Sequence, residues 1–194
     1  MRIVAGKHKG RRLTAPAGQD IRPTSDRARE ALFNILSHGD YAGPNGATPR
    51  EQSVLDIFAG TGALGLEALS RGAASVCFIE RNKAAARLIL ETAKAMGETG
   101  RVKVLARDAT QPGHTDSSYD LVLMDAPYRT GQSEPSLNAL AALGWLHVGS
   151  ICCIELAKQE DFQPDPAFTV LDERQYGAAR IVILRWDGPH IEVS

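Results

Sequence analysis

Cysteine is scarce, and what there is does not pair: Cys152 and Cys153 are adjacent and Cys77 stands alone in an apolar stretch. A disulfide framework or a zinc site needs paired spacings, so this chain is expected to be a reduced, cytoplasmic protein with no metal. His8, His38, His114, His147 and His190 also lack the spacing of metal ligands and are expected in loops or at the surface. Long apolar runs are missing too. The longest, Leu137 to Leu146 and Gly149 to Leu156, fall short of the roughly 20 residues that span a bilayer, so no membrane segment is expected. The N-terminus turns basic at Lys7 instead of entering an apolar signal segment. Internal repeats and low-complexity tracts are absent.

Net charge is nearly absent as well, at −1, but its distribution is lopsided. Residues 1–29 hold Arg2, Lys7, Lys9, Arg11, Arg12, Arg22, Arg27 and Arg29 against Asp20 and Asp26, a local charge of +6 that leaves −7 on the remainder. A basic arm on an acidic body suits a module that meets a polyanion beside a core with another task. The 194 residues, 43% hydrophobic and 23% charged, are otherwise those of a compact globular domain.

The arm reads as a short hairpin: Arg2 to Ala5, a turn from Gly6 to Gly10, then Arg11 to Thr14, followed by a connector with Pro16, Gly18 and Pro23. With few large apolar residues, it is expected to add little to the core. A helix capped by Thr24 or Ser25 follows, with Ala28, Ala31, Leu32, Ile35 and Leu36 on its inner face and Arg27, Arg29 and Glu30 pointing elsewhere. These residues, 1–38, form a basic extension; 39–52 is a linker and 53–194 the main domain. From Ser53 onward, strands alternate with helices, the signature of a parallel sheet covered on both faces. Strands are predicted at Ser53 to Ile57, Ser75 to Glu80, Val102 to Ala106, Tyr119 to Met124 and Ser150 to Leu156, with helices at about Ala63 to Arg71, Lys83 to Met96 and Ser133 to Leu143. Phe168 to Arg174 and Arg180 to Trp186 are too close for a crossover helix and should form an antiparallel hairpin at one edge.

The turn after the first strand, Asp56-Ile57-Phe58-Ala59-Gly60-Thr61-Gly62-Ala63-Leu64-Gly65, contains GxGxxG. Glycines there let a ligand approach the backbone at a helix N-terminus, and Glu80, ending the second strand, can accept both hydroxyls of a ribose. Both features fit a dinucleotide and other nucleoside cofactors equally. Asp56 separates them, because its carboxylate opposes a pyrophosphate but favours the sulfonium and ammonium of S-adenosylmethionine. Asp108, past the third strand, is positioned for an adenine amine, with the Ala109 N–H facing a ring nitrogen.

After the fourth strand comes Asp125-Ala126-Pro127-Tyr128. The Asp125 carboxylate and the Ala126 carbonyl are two acceptors for the protons of an exocyclic amine. Pro127 holds Ala126 extended, and Tyr128 offers a ring on which a base stacks. An aryl amine is a poor nucleophile because its lone pair is delocalised. Holding both protons turns that lone pair toward a methyl donor.

Asp56, Gly60-Thr61-Gly62, Glu80, Asp108 and Asp125-Ala126-Pro127-Tyr128 together resemble an S-adenosylmethionine-dependent amino-methyltransferase. The string Arg22-Pro23-Thr24-Ser25-Asp26-Arg27-Ala28-Arg29-Glu30-Ala31-Leu32-Phe33-Asn34 resembles the RsmD family specifically. The likeness runs from Arg2-Ile3 to Tyr176-Gly177 and the last strand. It implies a Rossmann-like class I fold, a mostly parallel seven-stranded sheet with an antiparallel edge hairpin and a small N-terminal hairpin and helix. It also implies methylation of guanine N2 in 16S ribosomal RNA. The site would comprise Asp125, Ala126, Pro127 and Tyr128 for catalysis, and Asp56, Phe58, Ala59, Gly60, Thr61, Gly62, Glu80, Arg81, Asp108 and Ala109 for the cofactor. Arg2, Lys7, Lys9, Arg11, Arg12, Arg22, Arg27, Arg29 and Arg129 would bind RNA. The partner would be 16S rRNA or the assembling small subunit, met by a monomer without membrane association. One departure stands out: the family has two prolines between acid and aromatic, and here the first is Ala126, which keeps the carbonyl and gives up a little rigidity.

Three alternatives stay open on the residues alone. A DNA adenine-N6 or cytosine-N4 methyltransferase shares the acceptor motif but needs a target-recognition domain with no counterpart here. A nucleotide-dependent oxidoreductase would use the glycine loop, against Asp56 and the acceptor motif. A non-catalytic RNA-binding protein could retain the fold.

Overall fold

The computed structural model describes residues 1–14, 26–39, 41 and 49–189. Pro16, Gly18, Arg22, Pro23, Thr24, Ser25 and His190 lie outside the described residues, as does most of the expected linker. Helix α1 (Asp26–His38) precedes β1 (Ser53–Ile57), α2 (Ala63–Ser70), β2 (Ser75–Ile79), α3 (Lys83–Ala95), β3 (Val102–Leu105), β4 (Tyr119–Asp125), α4 (Ser133–Ala142), β5 (Leu146–Ala157), β6 (Phe168–Tyr176) and β7 (Ala179–Trp186). One seven-stranded sheet has the order β3-β2-β1-β4-β5-β7-β6. The pairs among β1 to β5 are parallel, and β7 runs antiparallel to both β5 and β6.

The strands are apolar at nearly every position because both faces are covered. Alternation sends Val54, Val76, Leu121, Ile151 and Ile181 toward α1 and α2, while Leu55, Cys77, Val122, Cys152 and Val182 pack with Leu137 and Leu140 of α4 on the opposite face. All three cysteines are free and buried in this sheet. Strand β5 starts at Leu146, earlier than expected, because Leu146 pairs with Tyr119 across a register shift. The chain order reverses between β1 and β4, so the C-terminal ends of these two strands flank the switch point where open α/β sheets bind ligands.

The N-terminal arm forms the expected hairpin: Arg2 bridges Arg12, the Ile3 N–H donates to the Arg11 carbonyl and the Leu13 N–H to the Met1 carbonyl. Contrary to expectation it contributes to the core, with Ile3 fully buried and Leu13 nearly so beside α1, β1 and α2. Short apolar content misled because the attachment is largely polar. The backbone N–H groups of Val4 and Ala5 donate to the two carboxylate oxygens of Glu67 on α2 at 2.8 and 3.0 Å. The Lys7 N–H reaches the Ser70 carbonyl and the His8 N–H the Ser70 hydroxyl. At Gly6, φ is +78° and a Cβ would stand 1.9 Å from the Ser70 oxygen, so only glycine lets the arm pass this close.

Arg29 is also corrected. It shares the buried face of α1 with Leu32, Phe33 and Leu36, at offsets of three, four and seven residues, instead of pointing outward. Its guanidinium donates to the Arg2 carbonyl and to Asp26 and lies 3.8 Å from Glu67. His8 lies in the turn, as a loop histidine was expected to, and packs its ring 2.7 Å from the Glu98 carboxylate, which also accepts from Lys7 and Arg101. Burial alone would raise the Glu98 pKa, but His8, Lys7 and Arg101 outweigh it and hold the group at about 2. A depressed native pKa stabilises the fold above the ordinary value of 4.5, and that stability is lost as pH falls toward 2. In urea unfolding, Glu98→Gln should therefore be less stable than wild type at pH 7, with the gap closing between pH 4.5 and 2. A gap that stays constant across that window would mean the pairing contributes nothing.

Candidate active site

A cavity of about 820 Å³ opens at the C-terminal ends of β1, β2 and β4. Strand β1 contributes Asp56 and leads into Phe58, Ala59, Gly60 and Thr61; β2 leads into Glu80, Arg81 and Asn82; the segment after β3 brings Arg107 and Ala109. Strand β4 ends in Asp125, followed by Ala126, Pro127 and Tyr128. Residues far apart in the chain thus face one space, because the strand order reverses between the parallel neighbours β1 and β4.

Gly62, the N-cap of α2, has a left-handed φ of 75°, and a Cβ there would run into Ile89 and Phe78, while Gly60, Thr61, Ala63 and Leu64 of the same turn line the cavity. Phe58 and Arg129, just past β1 and β4, also have positive φ, at 57° and 59°. A non-glycine residue pays about 1 to 3 kcal/mol for such a backbone, a strain that collects at binding sites.

Two carboxylates are fixed by backbone donors. Glu80 accepts from the Gly60 N–H and the Asn82 N–H, both at 2.7 Å, which locks it against the glycine turn. Asp56 accepts from the Gly65 N–H at 2.8 Å and is buried. Burial raises its pKa well above the usual carboxylate range; the Gly65 bond opposes this, while Asp125 and Glu80 add to it by like charge. Glu155 of β5 lines the same cavity, so Asp56, Glu80, Asp125 and Glu155 put four carboxyl groups around it, with Arg81 and Arg107 also on its wall. Carboxyl groups there, where ionised, favour a cationic ligand over a pyrophosphate.

Tyr128 is half-buried, and its hydroxyl donates to Glu155 Oε1 at 2.6 Å. Ala126 is buried and Pro127 exposed. Asp108 sits differently from its expectation: its carboxylate accepts from the amide and hydroxyl of Thr110, which with Arg81 nearby hold its pKa down, and it is not among the residues lining the cavity. Its neighbour Ala109 does line it.

Of the expected RNA-binding cations, Lys9, Arg11, Arg12, Arg27 and Arg129 are exposed. Arg2 and Lys7 are exposed but pair with Asp26 and Glu98, and Arg29 is withdrawn into the core.

Sequence reasoning missed Glu155, Asn82, Arg107, Gln132 and Tyr176 as lining residues, along with Ala28 of α1. Glu155 carried a usable signal, an acid at the C-terminal end of an apolar strand, the same that singled out Asp56 and Glu80. Ala28 and Tyr176 had none, since α1 and the edge hairpin reach the cavity only through packing. Among the described residues, no group of three or more His, Cys, Asp or Glu is placed to hold a metal ion, and no helix is long and apolar enough to cross a membrane.

Comparison with known proteins agrees with this geometry. The sequence family described as conserved hypothetical protein 95 matches residues 1–185. The Escherichia coli K12 protein named ribosomal RNA small subunit methyltransferase D is 33% identical over 168 residues, 86% of this chain and 80% of that protein. The solved structure of yhhF from Escherichia coli superposes with a TM-score of 0.81 at 29% identity, over 97% of this chain and 99% of that one. A Salinibacter ruber RNA methyltransferase solved with S-adenosyl-L-homocysteine shares the fold alone, with a TM-score of 0.64 at 12% identity over 88% of this chain and 97% of that one.

Proposed function

This chain belongs to the family described as conserved hypothetical protein 95, and on that premise we propose that it transfers a methyl group from S-adenosylmethionine to the exocyclic N2 of a guanine in 16S ribosomal RNA. Its fold is the class I methyltransferase fold, a mostly parallel seven-stranded sheet with an antiparallel edge. The observation that carries the proposal is the placement of Asp125-Ala126-Pro127-Tyr128 on the same cavity as the glycine turn and Glu80. The name of the Escherichia coli relative supports ribosomal RNA of the small subunit as the substrate.

The residues fit an adenosylmethionine: Glu80, already oriented by Gly60 and Asn82, would take the ribose hydroxyls, and Asp56 and its acidic neighbours suit the positive groups. When bound, that molecule supplies an electrophilic methyl group. The protein's part is to hold the acceptor. Asp125 and the Ala126 carbonyl take the two amine protons, Tyr128 stacks on the base, and the lone pair is left directed at the methyl carbon. The amine becomes acidic only after it has been methylated, so Asp125 need not act as a strong base beforehand. A base leaving its stack costs a few kcal/mol, which phosphate contacts by Lys9, Arg11, Arg12, Arg27 and Arg129 offset.

The test is methyl transfer to 16S rRNA followed by mass spectrometry of the nucleosides. N2-methylguanosine is expected; N6-methyladenosine, or saturable cofactor binding with no transfer, would overturn the proposal. Glu80→Ala should weaken adenosylmethionine binding by about 10- to 100-fold in calorimetry, the loss of charge-assisted hydrogen bonds. Unchanged affinity would remove the ribose role, and equal binding of NAD would restore the oxidoreductase.

A further inference from the structure

Glu155 has no part in the chemistry described so far, yet it is a buried carboxylate, 6% exposed, on the wall of the reaction cavity. Strands β4 and β5 are parallel neighbours, and Asp125 and Glu155 are register partners. Register partners project to the same face, and adjacent strands lie about 4.8 Å apart, so two carboxyl groups stand side by side where the target base must dock. Tyr128 donates to Oε1 of Glu155 at 2.6 Å, which fixes that carboxylate beside the acceptor motif.

Carboxylate oxygens only accept hydrogen bonds, and one carboxylate has room for about four. A pair of adjacent carboxylates therefore selects a base edge that presents donors at two neighbouring positions. Guanine does so, with N1–H beside the N2 amine. Adenine and cytosine present an amine beside a bare ring nitrogen, whose lone pair would face the second carboxylate, and uracil presents one N–H between two carbonyls. We propose that Glu155 is the specificity-determining residue for guanine: it accepts the N1–H of the target base while Asp125 holds the neighbouring N2 amine. This inference rests on the proposed guanine-N2 activity and adds how adenine and cytosine are refused. It also gives the Tyr128 hydroxyl a task apart from its ring, which is to orient the Glu155 carboxylate.

The experiment compares kcat/KM for RNA carrying guanosine or 2-aminopurine at the mapped target nucleotide. 2-Aminopurine keeps the N2 amine but has a lone pair at N1. Wild-type enzyme should use it at least about 100-fold less well, since a site built to bind a donor rejects an analogue lacking it. Glu155→Gln can turn its amide NH2 toward that lone pair, so the ratio should narrow by about 10-fold or more, with adenosylmethionine affinity and melting temperature near wild type. Tyr128→Phe keeps the Glu155 carboxylate but loses the hydroxyl that orients it, so it should slow both substrates and narrow the ratio by less than Glu155→Gln does. Equal use of the two bases by wild-type enzyme would overturn the inference without any variant having to fold. So would an unchanged ratio in Glu155→Gln, or a Tyr128→Phe ratio that narrows as much as that of Glu155→Gln, which would make Glu155 only a support for the tyrosine. Loss of guanosine methylation in wild-type enzyme would instead remove the activity on which the inference rests.

Discussion

Asp125→Ala is expected to lower methyl transfer by about 100- to 1,000-fold, the usual cost of deleting one preorganised group that acts at the reacting centre. Adenosylmethionine affinity should stay within a few-fold of wild type, because the carboxylate is assigned to the acceptor amine. Asp125 also helps to raise the Asp56 carboxyl by like charge, so removing it eases ionisation of Asp56, which offsets part of the negative charge lost from the cavity. Asp125→Asn keeps an oxygen that can accept and should retain reduced but measurable activity. Single-turnover rates and calorimetry on the same preparations separate the two effects. Near-normal turnover of the alanine variant would end the assignment of Asp125 to the acceptor amine.

The largest expected loss of stability follows Glu67→Ala. Glu67 is fully buried, accepts from the Val4 and Ala5 amides and from Arg71 Nε at 2.8 Å, and lies 3.8 Å from the buried Arg29. Its removal strands two backbone donors and strips a fully buried guanidinium of one of its anionic neighbours. Breaking one side of a buried pair costs about 3 to 5 kcal/mol, so urea unfolding should shift by that amount. Deleting residues 1–14 should be destabilising for the same reason, contrary to what the thin apolar content of the arm implied. A Glu67→Ala loss below about 1 kcal/mol would mean that the arm is merely laid on the body, as a surface pair would be.

The strands and helices after Ser53 were legible because a sheet buried on both faces needs near-continuous apolar runs, and the helices between them need a regular apolar stripe. Strand and helix ends came out within a few residues, apart from β5, whose extra turn of pairing depends on Tyr119 across the sheet. Asp56, Glu80 and Asp125 were legible for a related reason: an acid at the end of an apolar strand is costly unless it meets a partner or a ligand.

Arg29 was misread because charge in a sequence says nothing of what a partner elsewhere can neutralise; Glu67 is 38 residues away. What the sequence by itself determined is therefore the alternation of strands and helices, the glycine turn and the acceptor motif, all set by local spacing. Only the tertiary structure decided that the arm docks through a buried carboxylate and that Glu155 stands beside Asp125. Those outcomes depend on which strands become neighbours and which buried charges find counterparts, and both are settled by packing across the whole chain.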